Sequence, residues 1–245
     1  MLPLPRPASG SFFNPQAQVR RVPIGDGQQA LVIDDALAEP GALVNWVDDH
    51  VFEPAEDNAY PGQLMLAPPA LTESLDGLFM QKVRSALGGR RTVERYARFS
   101  LVTQPPQALR PCQWLCHRDR VAADPGRVLF AASVLYLFPD PRLGGTRFFR
   151  PRCSAAELER LLADAQELDG PDFQARYGIA PGYMGEGNAY FECTAEVEAA
   201  WNRLVFYDGA VFHSAVIERP DLLSEDAGQG RLTLNGFYAC TRALA

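Results

Sequence analysis

Val128-Leu129-Phe130-Ala131-Ala132-Ser133-Val134-Leu135-Tyr136-Leu137-Phe138 is the longest apolar run of the chain, bounded by Asp124-Pro125-Gly126 before it and Pro139 after it. A bilayer-spanning helix needs about 20 apolar residues. A run this short, set between turn formers, reads instead as a buried central strand. Its neighbours repeat the signal. Upstream, Val93 to Thr103 is β-prone, and beyond the turn at Pro105-Pro106 a second extended stretch leads to Cys116-His117-Arg118-Asp119-Arg120. Downstream come Thr146 to Arg150, Ala189 to Cys193, Arg203 to Tyr207, Val211 to Ile217 and Arg231 to Cys240, with turns such as Asp208-Gly209 and a charged loop from Glu218 to Gly230 between them. Roughly eight strands in such succession describe a sandwich or barrel. A helical insertion at about 154–178 interrupts them. Ser154 with Glu157 three residues on is a capping box for a helix to Leu168, and residues 170–188 are polar and glycine-rich.

The N-terminal part supports this β core. Residues 1–16, rich in Pro, Ser, Gly and Asn, read as a loose arm. Two β-prone runs from Gln18 to Asp34 flank Gly25-Asp26-Gly27, a hairpin signal. Pro40 suits the first turn of a helix reaching about His50, residues 53–70 read as a loop, and Thr72 can cap a helix to Leu87. The expected organisation is one domain over 17–245: hairpin and helices over 17–91, then the β core over 92–245. The fold class is mainly β with flanking helices.

Composition narrows the function. The 245 residues suit one domain with a sizeable core. A formal charge of −7 offers no electrostatic footprint for nucleic acid or anionic lipid. The start, Met1 to Pro7, is broken by prolines and has no apolar segment of a signal peptide, so a cytoplasmic protein away from the membrane is expected. Five cysteines without a CxxC pair are expected to be free thiols. Cys112, Cys116 and His117 lack the paired spacing and the fourth ligand of a zinc site.

His117 and Asp119, two apart on an extended segment, point the same way. Imidazole and carboxylate so placed can share a metal ion. Of the other two histidines, His50 lies in the first helix, whereas His213 follows a turn at the head of a strand. His117, Asp119 and His213 together match the two-His, one-carboxylate triad of non-haem Fe(II) oxygenases, which leaves coordination positions open. Arg231 and Thr233 share one face of the last strand. A guanidinium fork and a hydroxyl on one face can hold a carboxylate. Arg219, six residues beyond His213 (219 − 213), competes for that role but precedes Pro220 in the charged loop. Lys82 is the sole lysine and lies far upstream, so no lysine can serve. Two residues are candidates for the substrate. Tyr60 would stand at the first position of a type II turn over Pro61-Gly62, its ring facing outward at the entrance, for which the stretch around Tyr183 to Asn188 is the other candidate segment. Arg147 belongs with Arg150 and Arg152 at a strand end, solvated or grasping an acidic substrate.

The ordered set His117-x-Asp119, Val134 to Leu137, Leu143-Gly144-Gly145-Thr146-Arg147-Phe148, Asp208-Gly209, Phe212-His213-Ser214 and Arg231-x-Thr233 resembles the prolyl-hydroxylase-type branch of the Fe(II)/2-oxoglutarate-dependent dioxygenases. The resemblance covers roughly residues 93–240. It implies a double-stranded β-helix, the cupin-like jelly roll, with Fe(II) on His117, Asp119 and His213. It further implies 2-oxoglutarate held by Tyr136 and a basic residue after His213, here Arg231, and O2 as oxidant. The implied activity is hydroxylation of a C–H bond in a peptidyl or small-molecule substrate, with release of succinate and CO2. The interval from His213 to Arg231 (231 − 213 = 18) is longer than usual in that family. Two other classes fit the same residues: a non-catalytic jelly-roll binding module, and a cupin-like metal dioxygenase that does not use 2-oxoglutarate.

Overall fold

The computed structural model describes residues 4, 5, 7, 10–54 and 60–242. The apolar run forms strand β6 (Val128–Tyr136), placed between β9 (Leu204–Asp208) and β11 (Arg231–Arg242) in the middle of an eight-stranded sheet. β5 (Gly89–Val102) follows on the far side of β11, and then β4 (Gly62–Leu66) and β3 (Glu53–Pro54). The hairpin β1 (Val19–Gly25) and β2 (Gln28–Ile33) completes the sheet beside β9. β7 (Thr146–Pro151), β8 (Phe191–Val197) and β10 (Phe212–Ala215) make a second, three-stranded sheet in the order β10-β7-β8. Every pairing is antiparallel. The two sheets enclose a common core, in which Ala132, Tyr136, Val205 and Tyr207 of the large sheet meet Phe148 and Val197 of the small one. This is the jelly roll.

Strand alternation gives each sheet a second apolar face, and helices cover both. Leu129, Leu135, Phe206 and Leu234 on the outer face of the large sheet pack with Leu43 and Val47 of α1 (Pro40–Asp48) and Leu75 and Phe79 of α2 (Pro69–Lys82). Phe149, Phe191 and Phe212 on the outer face of the small sheet pack with Leu161 of α3 (Ala155–Glu167) and Phe173 of α4 (Gly170–Tyr177). The capping box at α3 is present, with Ser154 accepting from the Glu157 amide and Glu157 accepting from the Ser154 amide. None of the described helices is long and apolar enough to cross a membrane.

Several local expectations are corrected. The arm is not loose where it is described: Phe13 is 3% exposed, pairs with Leu37 and lies in the helix-side core. Burying a phenyl ring stabilises by roughly 1.5–3 kcal/mol, enough to hold a short segment. The remaining arm residues 1–3, 6, 8 and 9 lie outside the described residues. The expected loop at 53–70 contains β3 and β4, which extend the large sheet. Helix α2 begins at Pro69 with Pro68 as its cap, not at Thr72, and ends at Lys82 before a short turn.

Candidate metal centre

The segment carrying His117 and Asp119 runs against the head of β10. The His117 amide donates to the His213 carbonyl at 2.9 Å, and the His213 amide returns to the His117 carbonyl at 2.8 Å. The Asp119 amide donates to the Gly209 carbonyl at 2.9 Å. Alternation then separates the side chains. Cys116, 1% exposed, enters the core beneath α3 and α4, where burial pushes its thiol pKa well up. His117 and Asp119 turn to the inner side. Gly209 keeps room for the carboxylate, since a Cβ there would stand 3.3 Å from Asp119 Oδ2.

His117, Asp119 and His213 offer ligand atoms that all lie within 4.8 Å of one another. Asp119 Oδ1 is 3.7 Å from His117 Nε2, and Asp119 Oδ2 is 3.5 Å from His213 Nε2. These separations exceed a hydrogen bond. They suit neighbouring ligands of one ion, whose bonds of about 2.1 Å place adjacent donors about 3 Å apart. Asp119 Oδ2 is buried without a hydrogen-bond partner, an orphan acceptor that a cation would satisfy. His213 Nδ1 lies 2.9 Å from the Val211 carbonyl, which fixes the protonated nitrogen there and leaves the Nε2 lone pair toward Asp119. Burial lowers the His213 pKa to about 4 against the opposing pull of Asp119, so the imidazole is neutral at pH 7. Burial raises the Asp119 pKa, but His213, His117 and Arg98 outweigh it and the net shift is downward. One ionised carboxylate and two imidazoles, one of them held neutral by burial, fit a divalent metal such as Fe(II). The third histidine, His50, lies far from this point, its Nδ1 2.6 Å from the Trp46 carbonyl and its ring on the Trp46 indole.

The centre lies at the wall of a cleft of about 460 Å³ lined by His117, Asp119, Tyr60, Arg98, Tyr183 and Phe237, among others. Deeper between the sheets, Arg231 is 3% exposed. Its Nε donates to the carbonyls of Leu143 (2.9 Å) and Gly144 (3.2 Å), and one Nη donates to that of Gly145 (2.8 Å). The double glycine explains those contacts. Gly144 has φ +81°, and a Cβ on Gly144 or Gly145 would collide with the Val216 or Val197 carbonyl. No carboxylate pairs with Arg231 among the described residues. Burial lowers its pKa, countered by Tyr60, Tyr136, Tyr183 and Tyr207 around it. Thr233 is opposite Tyr136 on β6 and Ser100 on β5. Tyr136, fully buried, shares a 2.8 Å hydrogen bond with Thr146, and its ring centroid is 6.0 Å from the Arg231 guanidinium carbon. Arg219 is exposed and paired with Asp221, away from this pocket.

Two residues stand elsewhere than expected. The Tyr60 hydroxyl is buried rather than presented outward, in reach of Ser100 and Thr233. The turn is also tighter than type II: the Gly62 amide donates to the Tyr60 carbonyl at 2.9 Å. Gly62 is required because a Cβ would strike the Leu101 carbonyl of β5. Arg147 is 6% exposed and held between Glu196 (2.7 Å) and Glu218 (2.6 Å). It lies on the opposite face of β7 from Phe148, whose register partner is His213, so it is neither solvated nor in the cleft. Arg98, Ser100 and Asn235 share the inner face of the large sheet near Arg231, and no motif marks them in the sequence. The available signal was the polar alternation Glu94, Tyr96, Arg98, Ser100 along one face of β5.

Residues 15–238 match DUF6445, described as a family of unknown function. The chain belongs to DUF6445. No curated protein matches it. Among solved structures, the DUF6445 chain is similar to HygX from Streptomyces hygroscopicus with nickel and 2-oxoglutarate bound, at 12% identity and a TM-score of 0.48, over 86% of this chain and 82% of that one. It is also similar to SnoN, a non-haem α-ketoglutarate-dependent epimerase from nogalamycin biosynthesis (11% identity, TM-score 0.41, 88% and 82% covered). A third similar structure is SnoK, a carbocyclase of the same kind from that biosynthesis (11% identity, TM-score 0.40, 87% and 80% covered).

Proposed function

We propose that this DUF6445 chain is an Fe(II)- and 2-oxoglutarate-dependent oxygenase that hydroxylates a C–H bond of a small molecule or peptidyl side chain, releasing succinate and CO2. The observation that carries the reading is the meeting of His117, Asp119 and His213 around the unpartnered Asp119 Oδ2. The ferrous ion and 2-oxoglutarate, when bound, supply the oxidising chemistry with O2; the protein supplies position and exclusion of water. His213 presents its Nε2 lone pair because Val211 holds the other nitrogen. Arg231, already desolvated and fixed by three carbonyls, takes the distal carboxylate of 2-oxoglutarate. Thr233 and Tyr60 add hydroxyl donors to the same carboxylate, and Tyr136 lines that pocket with its ring. The buried rings of Phe148 and Tyr207 keep solvent from the inner side of His213. Within the superfamily, the order of His117-x-Asp119, His213 and Arg231-x-Thr233 supports the prolyl-hydroxylase-type branch. The free thiols, two of them buried, support a reducing, cytoplasmic setting.

The test is anaerobic. Wild-type protein given Fe(II) and 2-oxoglutarate develops the weak visible charge-transfer absorbance of the chelate, and in air it forms succinate. His213→Gln loses both while its metal-free form melts as a folded protein. Wild-type protein that binds Fe(II) without absorbance or succinate would be a binding module or a metal dioxygenase of another kind.

A further inference from the structure

Arg98 is a charge that the proposed oxygenase reading leaves unused. It lies on the inner face of β5, paired in register with Asn235 of β11, and it lines the cleft with His117 and Asp119. Its guanidinium carbon stands 5.1 Å from the centroid of the Phe237 ring and 5.9 Å from that of Tyr60. Its Nε is buried without a hydrogen-bond partner, and no described carboxylate pairs with it. Two aromatic faces therefore orient the guanidinium while its Nε is left without an acceptor. Arg118, on the Phe212 ring at 4.6 Å, is another cleft arginine without an ion pair among the described residues. Arg120, on the Phe130 ring at 4.4 Å, is paired with Glu94. Three arginines against Glu94 and Asp119 give the cleft lining a formal +1 (3 − 2) in a chain of −7.

We propose that Arg98 anchors an anionic group of the substrate, so that the cleft selects a carboxylate- or phosphate-bearing small molecule with an apolar body. The proposal rests on the oxygenase reading for what happens to that molecule, but not for its binding. A half-buried, oriented guanidinium whose Nε lacks an acceptor is satisfied best by a planar carboxylate or a phosphate, which takes two parallel N–H donors. Tyr60, Phe130 and Phe237 in the cleft lining give the body of such a ligand aromatic surface to cover. The same anion chemistry has one other source, the metal-proximal carboxylate of 2-oxoglutarate, and the test separates the two.

The probes are 3-phenylpropanoate and phenyl phosphate, matched with neutral 3-phenylpropanamide and cationic 3-phenylpropylamine. Each is titrated calorimetrically into the metal-free protein and into the anaerobic complex with Fe(II) and 2-oxoglutarate. The expected result is that at least one acid binds ten or more times tighter than the amide and amine. Arg98→Gln loses that preference, and Arg98→Lys, which keeps charge but not the fork, falls between. Acids binding no better than the amide, or an acid affinity unchanged in folded Arg98→Gln and Arg98→Lys, would overturn the proposal. A fall in 2-oxoglutarate affinity in Arg98→Gln as large as the fall for the acids would move Arg98 to the cosubstrate and overturn the substrate assignment. If wild-type protein develops no absorbance with Fe(II) and 2-oxoglutarate, the oxygenase reading fails, while acid binding by the metal-free protein still decides Arg98.

Discussion

Replacing Arg231 tests the cosubstrate pocket most directly. The guanidinium is 3% exposed and held by the carbonyls of Leu143, Gly144 and Gly145, with no carboxylate partner among the described residues. Its desolvation is already part of the fold, so an arriving carboxylate gains a charge-assisted pair at little further cost to the protein. Removing one member of such a buried pair costs about 3–5 kcal/mol. That corresponds to 2-oxoglutarate binding about 150- to 5,000-fold more weakly in Arg231→Met. The three carbonyls lose their donors too, so the variant should also be less stable by about 1–3 kcal/mol. Arg231→Lys should fall between wild type and Arg231→Met, because one compact ammonium cannot reach the glycine carbonyls and fork onto a carboxylate together. Arg219→Ala should bind 2-oxoglutarate as wild type does, since Arg219 is exposed on Asp221. The assay is anaerobic titration of 2-oxoglutarate into the Fe(II) protein, followed by visible absorbance, with a thermal melt to show that each variant is folded. A folded Arg231→Met with a dissociation constant within about threefold of wild type would refute the reasoning.

Three further outcomes are expected. Tyr60→Phe should weaken 2-oxoglutarate binding about 10- to 150-fold, the value of one hydrogen bond to a charged group; unchanged affinity with impaired substrate oxidation would return Tyr60 to the entrance. Arg147→Met should lower the melting temperature while leaving Fe(II) affinity alone. It breaks the Glu196–Arg147–Glu218 cluster, worth about 1–3 kcal/mol once the exposure of Glu218 is discounted; a lost metal site would refute this. Asp76 on α2 is 4% exposed, and burial raises its pKa despite Arg95 at 3.3 Å. Between the ordinary value of 3.8 and the raised one, the folded state keeps a proton that the unfolded chain has lost, so this group's contribution to stability falls as pH rises. Asp76→Asn should therefore melt higher than wild type at pH 7 and lose that part of the pH dependence, as denaturation at pH 3 to 7 would show; a lower melting temperature at pH 7 would contradict the assignment.

What could be read from the chain alone was what short-range physics controls. The apolar run at Val128 became the central strand because strand length and bounding turns are local properties. The capping box at Ser154 and the hairpin around Asp26 formed because their partners lie within a few residues. His117 and Asp119 share a side by period-two alternation, and the turn at Asp208-Gly209 made His213 recognisable as the head of a strand. Which arginine faces the cleft was not local. In Thr146-Arg147-Phe148-Phe149-Arg150, two adjacent phenylalanines remove the alternation that tells inside from outside, and a shift of one residue exchanges the faces. Pairing of His213 with Phe148 settles it, sending Arg147 to Glu196 and Glu218. Arg98 lies in a strand that was legible, yet its surroundings are Phe237, Tyr60 and Asp119, brought from three distant segments. Tyr60 turns inward beside Gly62, which runs so close to the Leu101 carbonyl that a Cβ would not fit, an approach between strands that no turn propensity encodes. Ligand types and strand periods are written residue by residue; burial, facing and the absence of a counter-charge exist only once the sheets have closed.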